Sequence, residues 1–329
     1  MTKAQVLRAF GPPDVMEWKD IDVPPPGEGE VRMRHTAIGI NFADTYHRGG
    51  ISHPWPVPDP PTVIGFEAAG VVEDIGPGVV GFKTGDRVAY GIPPLGSYAQ
   101  ARNYPVASLL HLPDQLEDKQ VAALLMKGMT AQYLLRRTYK VQPGDTILVH
   151  AAAGGMGLIL CRWANHLGAT VIGTVSTPDK AELAKAAGCH HPVVRKNEDF
   201  EQVCRDVTDG EGVAVVYEAI GKDTLQKSLD CLRPMGVCAA YGHVSGPPDP
   251  VDIIKDLGAR GSLFITRPAI MHYVAKRGDL EATAAELFDV IEQGVIRADI
   301  NREFALEDAV AAHEAIESGT TTGASILIP

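Results

Sequence analysis

The segment richest in chemistry runs Ile147-Leu-Val-His-Ala-Ala-Ala-Gly154-Gly155-Met156-Gly157. A short apolar run ends in a turn of small residues, and a helix-forming stretch follows. Small residues let a backbone come close to a pyrophosphate, and a helix N-terminus offers N–H donors and a partial positive charge. On the dinucleotide fingerprint G-x-G-x-x-G the three positions are Ala152, Gly154 and Gly157, with alanine replacing the first glycine. Ala153, Gly154, Gly155, Met156 and Gly157 are therefore the candidate phosphate-binding backbone. The competing reading is a turn that serves packing alone. The strand before it and the helix after it favour the dinucleotide.

An Asp or Glu about 20 residues further on would hold a ribose 2′-OH. Here Ser176 stands at that place, in Thr174-Val-Ser-Thr-Pro-Asp-Lys180. A hydroxyl and a lysine in place of an acid suit a dianionic 2′-phosphate. Arg195 adds a second cation if the loop after the next strand lies alongside. The expected coenzyme is NADPH in preference to NADH. The alternative makes Lys180 and Arg195 solvated surface charges, partly offset by Asp179.

Metal chemistry is poorly supplied. The cysteines are Cys161, Cys189, Cys204, Cys231 and Cys238; none precedes residue 161 and no two form C-x-x-C. That excludes a disulfide framework and a four-cysteine zinc lobe, and it favours a reducing compartment. Zinc takes about four N, S or O ligands. His47, His53 and Glu67 are ungrouped candidates, and His190-His191 reads as a polar loop element, so no metal is expected.

The elements that position these residues are legible as a rhythm. Up to about residue 120 the chain is strand-like and heavily punctuated: Val31–Ala37 alternates apolar and polar residues, and Ala68–Ile75 and Asp86–Tyr90 are further strands. His53–Pro61 carries five prolines in nine residues and cannot be regular helix or central strand. Val121–Arg137 then has an apolar stripe at helical spacing. Strands at Thr146–His150, Thr170–Val175, Gly212–Tyr217 and Val237–Tyr241 alternate with helices at Gly157–Leu167, after Thr177-Pro178, and at Thr224–Leu232. Two more helices, Leu280–Ile291 and Leu306–Glu317, and a strand Ser325–Ile328 close the chain. Alternating β and α at this pitch predicts an α/β fold with a doubly wound parallel sheet, covered on both faces, beside a smaller β-rich domain.

With 329 residues, two domains are expected at about 150 residues each. The net charge of −11 repels polyanions, so nucleic acid is not an expected partner. No signal-peptide core follows Met1-Thr-Lys-Ala-Gln and no apolar run reaches the roughly 20 residues of a membrane span, so no membrane is involved and a cytoplasmic location is expected.

Motifs across the chain resemble the quinone oxidoreductase (zeta-crystallin-like) branch of the medium-chain dehydrogenase/reductase superfamily. They are Ala37-Ile-Gly-Ile-Asn-Phe-Ala-Asp-Thr-Tyr46, Gly65-Phe-Glu-Ala-Ala-Gly70, Lys127-Gly-Met-Thr130, Ala151–Gly157 and Thr266-Arg-Pro268. Within the branch, His47-Arg, His53-Pro, Cys189-His-His191, Lys222–Ser228 and Tyr241-Gly-His243 look closest to the 2-haloacrylate reductases. The resemblance implies a GroES-like domain over 1–125, completed by 268–329, around a Rossmann domain over 126–267. It also implies a homodimer, and a cleft between the domains for nicotinamide and substrate.

The same resemblance implies residue roles. Asn41, Phe42, Asp44, Thr45 and Tyr46 would line the nicotinamide and substrate pocket, and Thr130 would touch the coenzyme. Ser176, Lys180 and Arg195 would surround the 2′-phosphate. Tyr241, Gly242 and His243, with Phe264, Ile265 and Thr266, would meet the ribose and carboxamide. Two positions depart from the pattern: Gly319 stands where the branch often has a phosphate-binding arginine, and Arg195 where it often has tyrosine. Zinc members carry G-H-E where this chain reads Gly65-Phe66-Glu67.

Without a Lewis acid on the substrate oxygen, acceptors that need less polarisation are favoured: quinones, or alkenes conjugated to a carbonyl. Tyr46 is the candidate proton donor, Asn41 the residue orienting the nicotinamide side, and Arg267 the stabiliser of enolate or hydroquinone charge. The plainer alternatives are Tyr46 as a pocket wall and Arg267 as partner of a helix C-terminus. Two rival functions remain. One is a reductase dedicated to 2-substituted acrylates, with His53–Pro61 setting the choice. The other is an idle coenzyme-binding or RNA-binding protein, against which the acidic balance and lack of a Lys/Arg stripe weigh.

Overall fold

The computed structural model describes residues 2–51 and 56–329. The chain forms two units: residues through Met129 with Val274–Glu292 and Arg297–Pro329 make the first, and Thr130–Tyr273 with Gln293–Ile296 the second.

In the first unit Glu30–Gly39 is the organising strand. Val31, Met33, His35 and Ala37 turn inward on one side, the alternation expected of a strand with one buried face. It pairs antiparallel with Glu67–Ile75 and with Ala101–Pro105. The C-terminal strand Ala324–Ile328 joins it, Leu327 opposite Ile38, so segments nearly 300 residues apart share one sheet. Ile300–Ala305 extends this sheet in parallel beyond Ala324–Ile328. A second, three-stranded sheet is built from Thr2–Leu7, Met16–Ile21 and Thr62–Val63. Leu7, Met33, Ile38, Tyr90, Tyr98 and Tyr104 fill the core together with Ala309 and Ala312 of the helix Ala309–Glu317. A seven-residue helix, Phe42–Arg48, leaves the inner end of the organising strand.

The second unit holds a six-stranded parallel sheet in the order His191–Val194, Thr170–Val175, Thr146–Val149, Val213–Glu218, Leu232–Ala240, Phe264–Thr266. Numbered along the chain this is 3-2-1-4-5-6, the doubly wound order that binds dinucleotides where the winding reverses, outside the carboxyl end of the first strand. All six residues of Val213–Glu218 are buried, as a strand covered on both faces requires. Gly155–His166 packs on the sheet and ends before Gly168, whose φ of +84° is left-handed and closes the helix. Thr177 caps the next helix, accepting the Lys180 N–H, with Pro178 at its first position.

Some sequence expectations change. The helix expected over Val121–Arg137 is α-helical from Asp118 to Tyr133 and finishes as a wider π turn over Leu134–Thr138. His190-His191 is not a loop element. His191 opens a strand paired with Ile172, and His190 Nδ1 accepts the Val171 N–H at 3.0 Å. The Pro-Val-Val that follows carries the strand and draws His191 into it. Among the described residues no helix is long and apolar enough to cross a membrane.

Candidate functional site

At the carboxyl end of Thr146–Val149 the chain turns on Ala151, which adopts a left-handed φ of +53°. The Ala152 N–H donates to the Thr174 carbonyl, tying the turn to the neighbouring strand, and the Gly154 N–H closes back on the Ala151 carbonyl. Gly154 caps the helix Gly155–His166. A Cβ at Gly157 would fall 2.2 Å from the Ala151 oxygen and 2.6 Å from Ala152 backbone atoms. Only glycine lets the helix start this close to the turn, which aims the helix's unsatisfied N–H groups past the strand end. The residues present fit a dinucleotide pyrophosphate.

Neighbouring strand ends carry the 2′-phosphate candidates. Val175 pairs with Val194, so Ser176 and Arg195 leave adjacent strand ends, and the Arg195 N–H donates to the Val175 carbonyl at 3.1 Å. Lys180 lies in the first turn of the helix beginning at Pro178. Gly319 sits on an exposed turn with a φ of +67°.

On the other side of the switch point, Glu218 ends its strand inside the unit. Its carboxylate accepts N–H bonds from Ile220 and Gly221 and hydroxyls from Thr224 and Ser228, at 2.6–3.1 Å. Burial opposes its charge, but His150, Ser228 and the two amides hold it below the usual carboxylate range. His150 is buried beneath the phosphate turn, between the Thr174 hydroxyl at 2.8 Å and the Ser228 hydroxyl at 2.9 Å, and burial lowers its pKa. This cluster fixes both the turn and the loop after Leu232–Ala240, where Gly242 lies so close to Ala219 that a Cβ would meet its carbonyl oxygen at 2.6 Å. Arg267 donates to the Tyr241 carbonyl and lies 3.4 Å from His243 Nδ1, both in this loop. Ile265 pairs opposite Cys238 and Thr266 opposite Ala239, while Phe264 is largely exposed. Thr130 shares a side-chain hydrogen bond with Tyr133, which stacks on Tyr273 at 4.2 Å.

In the first unit Asn41 caps the helix Phe42–Arg48. Its backbone N–H donates to Asp44 Oδ2 at 2.8 Å, and its Nδ2 to Glu67 Oε1 at 2.7 Å. Asp44 is fully buried and also accepts the Tyr98 hydroxyl at 3.2 Å. Burial pushes its carboxyl up to about 7 despite the Asn41 N–H. Tyr98 contacts His313, which contacts Arg48, which pairs with Glu317 at 2.7 Å. Thr45 bonds back to the Phe42 carbonyl, and Tyr46 is half-buried, edge-on to the Phe42 ring at 5.3 Å.

These groups do not fit a zinc site. The His47 ring lies against Phe66 at 4.7 Å, and Glu67 is committed to donors from Asn41, Met126 and Lys127. Among the described residues no three His, Cys, Asp or Glu side chains group to hold a metal. His53 lies outside the described residues, as does the beginning of the His53–Pro61 loop.

Two domain families match the chain: the alcohol dehydrogenase GroES-like domain over residues 27–140 and the zinc-binding dehydrogenase domain over 155–288. A 2-haloacrylate reductase from Burkholderia sp is 54% identical over 100% of this chain and 99% of its own length. A quinone oxidoreductase from Pseudomonas aeruginosa is 45% identical, with 100% of both chains covered. The chain belongs to the quinone oxidoreductase family. The crystal structure of the Escherichia coli quinone oxidoreductase complexed with NADPH superposes with a TM-score of 0.95 at 40% identity, covering 100% of both chains.

The phosphate turn, the strand-end cations and the Asn41–Tyr46 segment are legible in the sequence as candidates. The groups that hold them are not: His150 and Glu218 under the turn, Tyr98 and His313 around the short helix, and Glu67 and Lys127, which stand out in the sequence only as an ungrouped metal candidate and as part of a motif. His150 inside the apolar strand end Ile147-Leu-Val-His and Glu218 at the end of Val213–Tyr217 were the available signals. A polar residue in a strand buried on both faces needs partners.

Proposed function

We propose that this member of the quinone oxidoreductase family is a zinc-independent, NADPH-dependent reductase that transfers hydride to quinones or α,β-unsaturated carbonyl compounds in the cytoplasm. The observation that carries this reading is the turn at the switch point: a glycine-only helix start after strand one, no acid at Ser176, and Arg195 leaving the adjacent strand end. The NADPH complex of a relative 40% identical over its full length supports it.

When bound, the coenzyme supplies the hydride. The Ala153–Gly157 backbone would hold the pyrophosphate; Lys180 and Arg195 would neutralise the 2′-phosphate, and the Ser176 hydroxyl would hydrogen-bond to it. Thr130, Tyr241–His243 and Phe264–Thr266 hold the ribose and carboxamide. Asn41 orients the nicotinamide side, the Tyr46 hydroxyl holds the proton for the acceptor, and Arg267 stabilises negative charge developing on its oxygen. The exposed Phe264 on the open edge of the parallel sheet, 61% accessible, supports assembly as a homodimer through that strand.

The test is NADPH oxidation with a panel of quinones and 2-substituted acrylates. Turnover with at least one acceptor is expected, together with much tighter binding of NADPH than of NADH. Equal dissociation constants overturn the coenzyme preference, and tight binding without turnover on any acceptor overturns the reductase. Identity of 54% to a 2-haloacrylate reductase favours a second reading, an acrylate-dedicated enzyme, which turnover confined to the acrylates would select.

A further inference from the structure

Glu67 and Lys127 form an ion pair in the interior of the first unit, 0% and 8% exposed. Lys127 Nζ lies 3.3 Å from Glu67 Oε1 and donates to the Ile40 carbonyl at 3.0 Å. Glu67 Oε2 accepts the Met126 N–H at 2.7 Å, and Oε1 accepts Asn41 Nδ2 at 2.7 Å. Desolvating two charges costs as much as their attraction returns, and an apolar pair of equal volume is often at least as stable. Stability therefore does not explain the pair; its partners do.

A carboxylate offers only acceptors, so it faces only the NH2 side of the Asn41 amide and fixes which way that amide points. Lys127 holds the Ile40 carbonyl, the peptide bond leading into Asn41. Side chain and incoming backbone of one residue are thus fixed by one ion pair. Gly39 shows how close the fit is: a Cβ there would fall 2.1 Å from the Ala122 carbonyl and 2.4 Å from Glu67 Oε1. The strand end is pressed directly onto the pair and onto the helix Asp118–Tyr133.

We infer that the Glu67–Lys127 pair is a positioning device for Asn41, setting the direction in which its amide meets coenzyme and substrate. The inference rests on the role given to Asn41 above. Lys127→Met, Lys127→Arg, Asn41→Ala and the combined Asn41→Ala/Lys127→Met variants are assayed with NADPH and 1,4-benzoquinone. Lys127→Met should lower kcat tenfold or more with KM for the quinone within twofold, and Lys127→Arg should recover at least half of the loss. In the Asn41→Ala background the Lys127→Met change should cost less than twofold. An unchanged kcat in Lys127→Met, or the same loss with and without the Asn41 side chain, overturns the inference. Wild-type kcat in Asn41→Ala overturns the role of Asn41 instead.

A second readout does not depend on turnover. The Asn41 side-chain NH2 resonances should be shifted and slow to exchange in the wild-type protein, lose that protection in Lys127→Met and regain it in Lys127→Arg. Equal protection in all three overturns the device. If Lys127→Met does not fold, Glu67→Gln/Lys127→Met leaves no unpaired charge and carries the same comparisons.

Discussion

Asp44 is the third residue of a seven-residue helix, fully buried, with burial pushing its carboxyl from 3.8 up to about 7. Between those values the folded protein keeps a proton that the unfolded chain has released, so this group alone makes stability fall as pH rises from about 4 to 7. Four buried histidines act the other way, His150 under the phosphate turn among them. Burial lowers His35 and His313 to about 3 and His47 to about 4, and the Arg48 charge adds to the effect at His313. Below 6.5 the unfolded chain takes up protons that the folded one refuses, so their contribution is present above 6.5 and is lost as pH falls. The opposed effects leave stability rising with pH between about 4.5 and 6. Asp44→Asn removes the one opposing proton, so the slope should steepen by about 1.4 kcal/mol per pH unit. Urea unfolding of both proteins across that range measures it, and parallel slopes would show that Asp44 does not titrate there.

At the level of elements, the strand–turn–helix over Thr146–His166 depends on one missing methyl group. Gly157→Ala places a Cβ 2.2 Å from a backbone oxygen, so helix or turn must shift. The expected cost is about 1–3 kcal/mol of stability and at least a tenfold loss of NADPH affinity, read by thermal unfolding and by fluorescence titration. Gly278→Ala is the control: nothing lies within 4 Å of its Cβ, and a helical alanine there should be neutral or stabilising by up to about 1 kcal/mol. If the two variants behave alike, the turn is not built as described. The same element was also the most legible in the sequence, because apolar strands and capped helices alternate locally. Phe42–Arg48 was not legible as a helix. Its buried residues are Asp44, Thr45, His47 and Arg48, so no apolar stripe marks it, and long-range polar contacts hold it instead. Glu67 and Lys127 are 60 residues apart, and no local pattern announces a pair made only by the fold. Ile300–Ala305 was missed for a related reason: exposed or half-buried throughout, it lacks the alternation of a strand with a core face.

For the whole molecule, the homodimer proposed above would form through Phe264–Thr266, the edge strand of the parallel sheet, which carries the exposed Phe264. Light scattering should give twice the 35.1 kDa chain mass, and Phe264→Asp should shift the protein toward a single chain. A monomer at micromolar concentration for the unaltered protein would remove that assembly. The cysteines divide the molecule differently. All five lie within the second unit and are buried; hydrogen bonding to a neighbouring cysteine, and then burial, pushes the thiols of Cys161 and Cys231 upward, and burial does the same for Cys238. Such thiols are poor nucleophiles. A single cysteine introduced at an exposed place in the other unit, such as Val80 at 84% accessibility, becomes the one thiol that maleimide reagents reach quickly. A fluorophore or spin label attached there would report on the first unit alone, with every native cysteine left in place.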